Sequence, residues 1–282
     1  RRAALARCAD EQAVAEEFRL RSGQKMSLLG PEGETSISAE PVTGQDLQAV
    51  LDRATEFSAY RCAGSIRQGY VTVRGGCRVG ICGTAVLRGG EIATVGELSS
   101  LSIRIARAAF GVAKDVYPKL WSEGSFESTL ILSPPGGGKT TLLRDLIRCL
   151  SKGSQTHPAL RVAVVDERGE IAAARGGCAQ FDVGPHTDIL TGTEKAEGIS
   201  MLLRAMNPQV IAVDEITAPE DIRAMTVAAN CGVAFLATVH GRDLDELRRR
   251  KLCRELLDTE LFHQFIVLEG RGSARTSRVE RC

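Results

Sequence analysis

The stretch Ser133-Pro134-Pro135-Gly136-Gly137-Gly138-Lys139-Thr140 has the residue types and spacing to hold phosphate. Glycines let successive backbone N–H groups close around phosphate oxygens, a lysine supplies charge, and a hydroxyl one place later can reach Mg2+. In that reading Lys139 meets the β- and γ-phosphates of a nucleoside triphosphate, Thr140 ligates Mg2+, and Thr141 continues the turn of helix that faces the phosphates. The flanks agree. The apolar run Thr129-Leu130-Ile131-Leu132 precedes the loop and the amphipathic run Thr141 to Ile147 follows it, giving strand, glycine turn and helix in the required order. One position departs from G-x-x-x-x-G-K-[ST]: Ser133 stands where the first glycine is expected, and a residue that small still permits the turn. A glycine-rich surface loop that happens to contain a lysine is the plain alternative, and the flanking strand and helix argue against it.

Other apolar runs of the second half also end in polar residues. Val213 is followed by Asp214-Glu215, Val165 by Asp166-Glu167-Arg168, and Ala237 by Thr238-Val239-His240. Asp214 is placed to hold Mg2+ through water, and Glu215 to act as the general base that orients and deprotonates the attacking water. Glu167 is a second acidic candidate. Asp and Glu at strand ends also serve as helix caps or solvated turns, and both readings stay open for Asp166 and Glu167. His240 is either a hydrogen-bonded structural histidine or a sensor of the γ-phosphate. The absence of N-K-x-D or T-K-x-D disfavours guanine nucleotides and leaves ATP as the expected substrate.

These residues need a sheet to bring them together. Val162 to Val165, Val210 to Val213 and Val233 to Ala237 are continuous apolar runs, as expected of strands buried on both faces of a parallel sheet. Helical stretches near Glu194 to Met206, Pro219 to Asn230 and Asp243 to Leu257 separate them. The expected fold class is α/β, a P-loop NTPase of the RecA-like kind, with an extra strand and a strand-end catalytic glutamate. Its ligands should lie at the carboxyl ends of the strands. Gln264 to Leu268 reads as the last strand, before an Arg- and Ser-rich tail.

The first half reads differently. A helix is expected over part of Ala3 to Leu20, then strands around Phe18 to Arg21 and Met26 to Leu29. Thr43-Gly44-Gln45-Asp46 has the spacing of a capping box, and a second helix is expected from Phe57 to Ile66. Tyr70 to Val73, Arg78 to Ile81, Thr84 to Leu87 and Leu101 to Ile105 are strand-like runs separated by glycine pairs, giving a small antiparallel sheet with helices on one face. The expected domains are a small α+β N-terminal domain over 1–110, a linker over 111–128 and the P-loop domain over 129–282.

Composition narrows the function classes. Lys and Arg number 36 against 35 Asp and Glu, so no global field draws the chain to nucleic acid or anionic lipid. No apolar run is long enough to span a membrane, and the N-terminus lacks an apolar signal core. The nine cysteines are scattered, with Cys149 and Cys231 on what read as buried helix faces, which suits free thiols in a reducing cytoplasm. Cys77 and Cys82 have no second Cys or His pair at ligand spacing, so zinc is not expected. The chain begins at Arg1 rather than Met, as a fragment would.

Leu203-Arg204-Ala205-Met206-Asn207-Pro208, Val210 to Ile216 and Ala237-Thr238-Val239-His240-Gly241 together resemble the secretion ATPases that drive type II secretion and type IV pili. A closer resemblance, to the stage III sporulation protein AA family, covers almost the whole chain. It rests on Ser65 to Thr72, Gly75 to Gly80, Ser99 to Arg107, Val164 to Ile171, Asp182 to Gly184, Thr187 to Leu190 and Lys195 to Gly198. The departures are Ser133 and Pro185-His186, where a basic residue is expected before Thr187. The resemblance implies ring-shaped, generally hexameric motors in the cytoplasm whose N-terminal domain moves against the P-loop domain as ATP is hydrolysed. They work on membrane proteins of a secretion-like complex, here the channel between mother cell and forespore. It also implies that Arg78 and Arg104 correspond to arginines that reach the γ-phosphate from the N-terminal domain. The rival readings are an ATPase acting on single-stranded nucleic acid, for which the near-neutral chain leaves no added module, and a small-molecule kinase, which would need a lid and an acceptor pocket.

Overall fold

The computed structural model describes residues 15–30, 32–56, 62–67, 69–73, 75–105, 109–270 and 276–281. The chain divides into two compact units, Arg1–Arg107 and Ala108–Cys282. In the first, β1 (Glu17–Arg21), β2 (Lys25–Gly30) and β3 (Gly33–Pro41) precede helices α1 (Gly44–Ala54) and α2 (Ala63–Arg67). They are followed by β4 (Tyr70–Thr72), β5 (Arg78–Arg88) and β6 (Glu91–Arg104). The sheet is six-stranded, in the order β3-β2-β1-β6-β5-β4, and every neighbouring pair is antiparallel.

Helix α1 starts where the capping box predicts. The Asp46 amide donates to Thr43 Oγ1 at 3.2 Å, and the Thr43 amide donates to Asp46 Oδ2 at 2.9 Å. The same helix buries Leu47, Leu51 and Ala54 in a core shared with Leu20, Ile66, Val71, Val79, Ile81 and Leu101. Gly89 and Gly90 have φ of 64° and 86°, the two left-handed positions that a tight two-residue hairpin loop requires.

Three features of this unit differ from expectation. Residues 33–41 form an edge strand, and β5 runs unbroken through Gly83, where the sequence suggested two strands. A register shift there brings the Gly83 backbone so close to β6 that a Cβ would lie 2.5 Å from the Gly96 carbonyl oxygen. Strand β6 begins ten positions before Leu101, at Glu91. The expected helix before Phe18 falls mainly outside the described residues. So does Phe57 to Arg61 of the next one, whose described part is α2.

The second unit opens with a 3-10 helix (Tyr117–Leu120) and the short strands β7 (Trp121–Ser122) and β8 (Ser125–Phe126). Then follow β9 (Thr129–Ser133), α3 (Lys139–Lys152), β10 (Val162–Asp166), β11 (Thr187–Thr191), α4 (Lys195–Ala205) and β12 (Val210–Val213). The last elements are α5 (Pro219–Ala229), β13 (Ala234–His240), α6 (Leu244–Arg249), α7 (Lys251–Asp258), β14 (Gln264–Glu269) and β15 (Thr276–Arg281). The sheet order is β11-β10-β12-β13-β9-β14-β15, parallel except for the β14–β15 pair.

Both faces are covered. Ile131 points into a core with Leu143, Leu146 and Ile147 of α3, and Leu130 and Leu132 point into the opposite core with Ile199, Met225 and Leu256. That two-sided burial is why the strands read as unbroken apolar runs. Strand β13 lies between β9 and β12, so this is the P-loop architecture with an inserted strand, as expected. The inserted strand is the one ending in His240. Strand β10, ending in Asp166, lies beyond β12, two places further out.

Residues 111–128, expected as a linker, are packed: Ala113, Val116, Tyr117, Leu120, Trp121 and Phe126 join the α3-side core. The Ala113 amide also donates to the buried Asp145 carboxylate of α3 at 2.9 Å. The helix expected from Asp243 to Leu257 is two helices, broken at Arg250, whose backbone is extended (φ −93°, ψ 125°). The tail after Leu268 supplies β15. Cys231 is exposed rather than buried, because it falls in the turn after α5, whereas Cys149 is half-buried and its thiol is pushed up by that burial. Among the described residues no helix is long and apolar enough to cross a membrane.

Candidate phosphate-binding site

The loop from Ser133 to Gly138 joins β9 to α3. Gly136 and Gly138 take φ of 74° and 91°, which a side chain would strain, and the Gly137 amide closes the turn on the Pro134 carbonyl at 3.1 Å. A Cβ on Gly137 would lie 1.7 Å from the Ser133 hydroxyl. The serine that replaces the usual first glycine is therefore accommodated against a glycine that cannot be replaced. Its Oγ donates to the Pro134 carbonyl at 3.0 Å. Helix α3 begins at Gly138 without a side-chain cap, which leaves its first amides to a ligand. Lys139, Thr140 and Thr141 make that first turn.

The ends of β9, β12 and β13 meet at Lys139, which is 7% exposed. Its Nζ lies 2.6 Å from His240 Nδ1 and 3.4 Å from the Ser133 carbonyl oxygen, and His240 Nε2 lies 3.0 Å from Glu215 Oε2. An ammonium only donates, so Nδ1 accepts and the ring proton sits on Nε2, facing Glu215. Burial pushes the Lys139 ammonium below its ordinary pKa, opposed by the negative charges of Glu215, Asp214 and Glu170. A phosphate would supply the counter-charge that this desolvated cation lacks.

Beside it, Asp214 accepts from Thr140 Oγ1 at 3.2 Å and from Thr238 Oγ1 at 2.9 Å. A hydroxyl and a carboxylate in contact at a strand end, next to the loop, form a hard-oxygen pair of the kind that holds Mg2+ together with phosphate oxygens. The string Thr238-Val239-His240 by itself gives Thr238 no task beyond preceding His240. Its role in fixing Asp214 follows from β13 being the neighbour of β12.

Asp166 and Glu167 separate into different tasks. Asp166 is buried and accepts from the amides of Glu170, Ile171 and Ala172 at 2.8, 3.0 and 2.9 Å, so it shapes the loop after β10. Glu167 pairs with Lys195 at the start of α4. Arg144 of α3 holds the same loop from the other side, donating to the carbonyls of Ile171 at 2.6 Å and Glu170 at 2.7 Å while stacking on Phe181. The acidic group of this loop that bears on Lys139 is Glu170, which the pattern of strand-end residues did not single out. The departure at Pro185-His186 lies elsewhere: His186 bonds to Ser151 near the C-terminal end of α3.

Arg78 and Arg104 belong to the first unit. They are direct cross-strand partners in the β5–β6 ladder. Arg104 Nε lies 3.3 Å from Glu17 Oε2 with its side chain 70% exposed, and the Arg78 guanidinium lies 4.0 Å from the centre of the Tyr70 ring.

Comparison with known proteins gives a consistent answer. The model of the family described as sporulation stage III, protein AA matches residues 1–279. Stage III sporulation protein AA of Bacillus subtilis is 35% identical over 94% of this chain and 86% of its own length. The protein SEEDLING PLASTID DEVELOPMENT 1 of Arabidopsis thaliana is 26% identical over 80% of this chain but only 30% of its own length. Among solved structures, the ATPase DotB of Legionella pneumophila superposes with a TM-score of 0.61 at 15% identity, covering 98% of this chain and 78% of that one. The pilus retraction motor PilT, solved with bound ADP, does so with a TM-score of 0.64 at 16% identity, covering 98% and 81%. At those identities the structural likeness shows the fold.

Proposed function

The chain belongs to the sporulation stage III protein AA family, and from that premise we propose that it is a Mg2+-dependent ATPase that drives a secretion-like, membrane-associated complex during sporulation. The observation that carries the catalytic part is the chain of contacts from Lys139 through His240 to Glu215, beside the Thr140–Asp214 pair, at the carboxyl edge of one sheet. Lys139 and the amides of the loop bind the phosphates. His240 touches Lys139 on the side where the terminal phosphate has to bind, so an arriving phosphate takes its place on the ammonium, and the released histidine reports occupancy to Glu215. Glu215 takes the proton from the water whose oxygen attacks the terminal phosphorus as the bond to the bridging oxygen breaks. Bound Mg2+ would neutralise phosphate charge, and Thr140 and Asp214 are the residues placed to hold it.

The family resemblance extends the proposal to a ring, six-membered in the relatives implied, docked from the cytoplasm on membrane proteins of the mother cell to forespore channel. Arg78 and Arg104 are proposed to act on the γ-phosphate from the N-terminal unit.

The test of the catalytic assignment is Glu215→Gln, which keeps shape and hydrogen bonding but removes the proton acceptor. This variant should bind ATP as the parent does and turn it over on the order of 10²-fold more slowly. Parent-rate hydrolysis would transfer the base elsewhere, with Glu170 the next candidate because its charge also bears on Lys139, and loss of ATP binding would show that Glu215 holds the site together instead. Thr238→Val tests the metal assignment separately. Removing the hydroxyl that orients Asp214 should raise the Mg2+ concentration for half-maximal turnover about tenfold, with nucleotide affinity at saturating Mg2+ unchanged.

A further inference from the structure

A cavity of about 480 Å3 opens against the first half of the phosphate loop, with Pro134, Pro135 and Gly137 on one wall and Leu268, Arg242 and Arg278 among the residues of the others. Two arginines, Arg242 and Arg278, and two acidic residues, Asp243 and Glu269, therefore line it. The two arginines are not equivalent. Arg278 is paired with Glu269 and Glu280, so its charge is already answered by two carboxylates. The Arg242 side chain is exposed, and its guanidinium makes no hydrogen bond or ion pair with another described residue.

The backbone that carries Arg242 is held on every side. The Gly241 amide donates to the Ser133 carbonyl at 3.3 Å, directly tying this residue to the start of the phosphate loop. A Cβ on Gly241 would lie 2.7 Å from Leu247 Cδ2, so the chain is pressed onto a buried leucine of α6. The Arg242 amide donates to Glu246 Oε2 at 3.0 Å, and the Glu246 amide donates to Asp243 Oδ1 at 2.7 Å, so that Asp243 caps α6 while Glu246 holds the residue before the cap. Arg250, the residue that breaks the helix, sends its guanidinium to the His240 carbonyl. A loop fixed this firmly has little freedom left except in the Arg242 side chain, which starts two residues beyond the histidine in contact with Lys139.

We propose that Arg242 contacts the terminal phosphate of the bound nucleotide from within the same chain, through the cavity beside Pro134 and Pro135, and so distinguishes a triphosphate from a diphosphate. The proposal rests on the phosphate-site reading above and adds a residue to it. A planar guanidinium can meet two phosphate oxygens at once, which an ammonium cannot.

Binding of ATP and of ADP to the parent, Arg242→Ala and Arg242→Lys, measured by calorimetry with Mg2+ present, tests it. The Ala variant should bind ATP about tenfold or more weakly, as expected for a lost charge-assisted hydrogen bond, and ADP within about twofold of the parent. The Lys variant should fall between. Equal weakening of ATP and ADP would make the residue a support of the loop, and unchanged ATP affinity would make it a solvated side chain; either overturns the proposal. A parent that binds neither nucleotide overturns the phosphate-site reading itself, an outcome distinct from both.

Discussion

Lys139→Ala is expected to abolish nucleotide binding and to reduce ATP turnover by at least about 10³-fold, while the protein still folds. The ammonium is nearly buried, and burial pushes its pKa down, so the fold gains little from carrying the charge. Its partners in the free protein are a histidine nitrogen and a backbone carbonyl rather than a carboxylate. Such a site is costly to ionise until an anion arrives, which is the arrangement expected of a binding residue rather than a structural one. Truncation therefore removes a desolvated charge that no ion pair requires, and the melting temperature of the free protein should stay near that of the parent. The contrast appears on adding nucleotide. Ligand at about 100 times its Kd stabilises the parent by about 2.7 kcal/mol, and the Ala variant should show no such shift. A variant that still gains thermal stability from ATP, or hydrolyses it at the parent rate, would place the phosphates somewhere other than this loop.

How much of this could be read beforehand depended on whether a residue's task is set by its neighbours in sequence or by its neighbours in space. The glycine loop between β9 and α3 was legible because strand, glycines, lysine and helix are contiguous. The parallel strands were legible because burial on both faces leaves continuous apolar runs. Strands β3 and β15 were not. They lie at sheet edges, 33–41 carries few apolar side chains, and the tail around Thr276 alternates no apolar face. In the site, Asp214 and Glu215 stood out as a polar pair after an apolar strand. Thr238 and Arg242 did not, because one orients a carboxylate across a strand pair and the other depends on a loop returning to Ser133.

The stretch Asp166 to Glu170 shows the limit most sharply. Four polar residues follow one strand, and their order along the chain does not reveal which of them turns inward. Three amide hydrogen bonds commit Asp166 to the loop, and Lys195 takes Glu167. That division of labour leaves Glu170 as the acidic residue of this loop whose charge bears on Lys139. The break at Arg250 is of the same kind. It lies in the basic run Arg248 to Lys251, and its guanidinium donates to the backbone carbonyl of His240, a contact that sequence order does not reveal.

Arg104→Ala and Arg78→Ala are each expected to slow ATP turnover by on the order of 10³-fold, the lower range for loss of an arginine that stabilises transferring phosphate, with a much smaller loss of ATP affinity. The two residues face each other across the β5–β6 ladder, and like charges directly opposite destabilise a sheet. Glu17 answers part of that charge through Arg104, and the Tyr70 ring lies against Arg78. Glu17 also serves Arg19, so that one carboxylate is shared by two guanidinium groups. Paired arginines on adjacent strands are well suited to a dianion, and the γ-phosphate in transfer is one. If they act there, hydrolysis requires the N-terminal unit to be brought to the nucleotide, and release of phosphate removes the charge that held it. The measurement is steady-state hydrolysis beside equilibrium binding of ATP for each variant and for the double variant. A structural role predicts lowered thermal stability and proportionate losses in both quantities, whereas relief of repulsion should leave stability near the parent value while turnover alone collapses. Should the double variant hydrolyse ATP at the parent rate, the N-terminal unit takes no part in the chemistry, and any motion it makes must be driven by nucleotide binding rather than by the arginines.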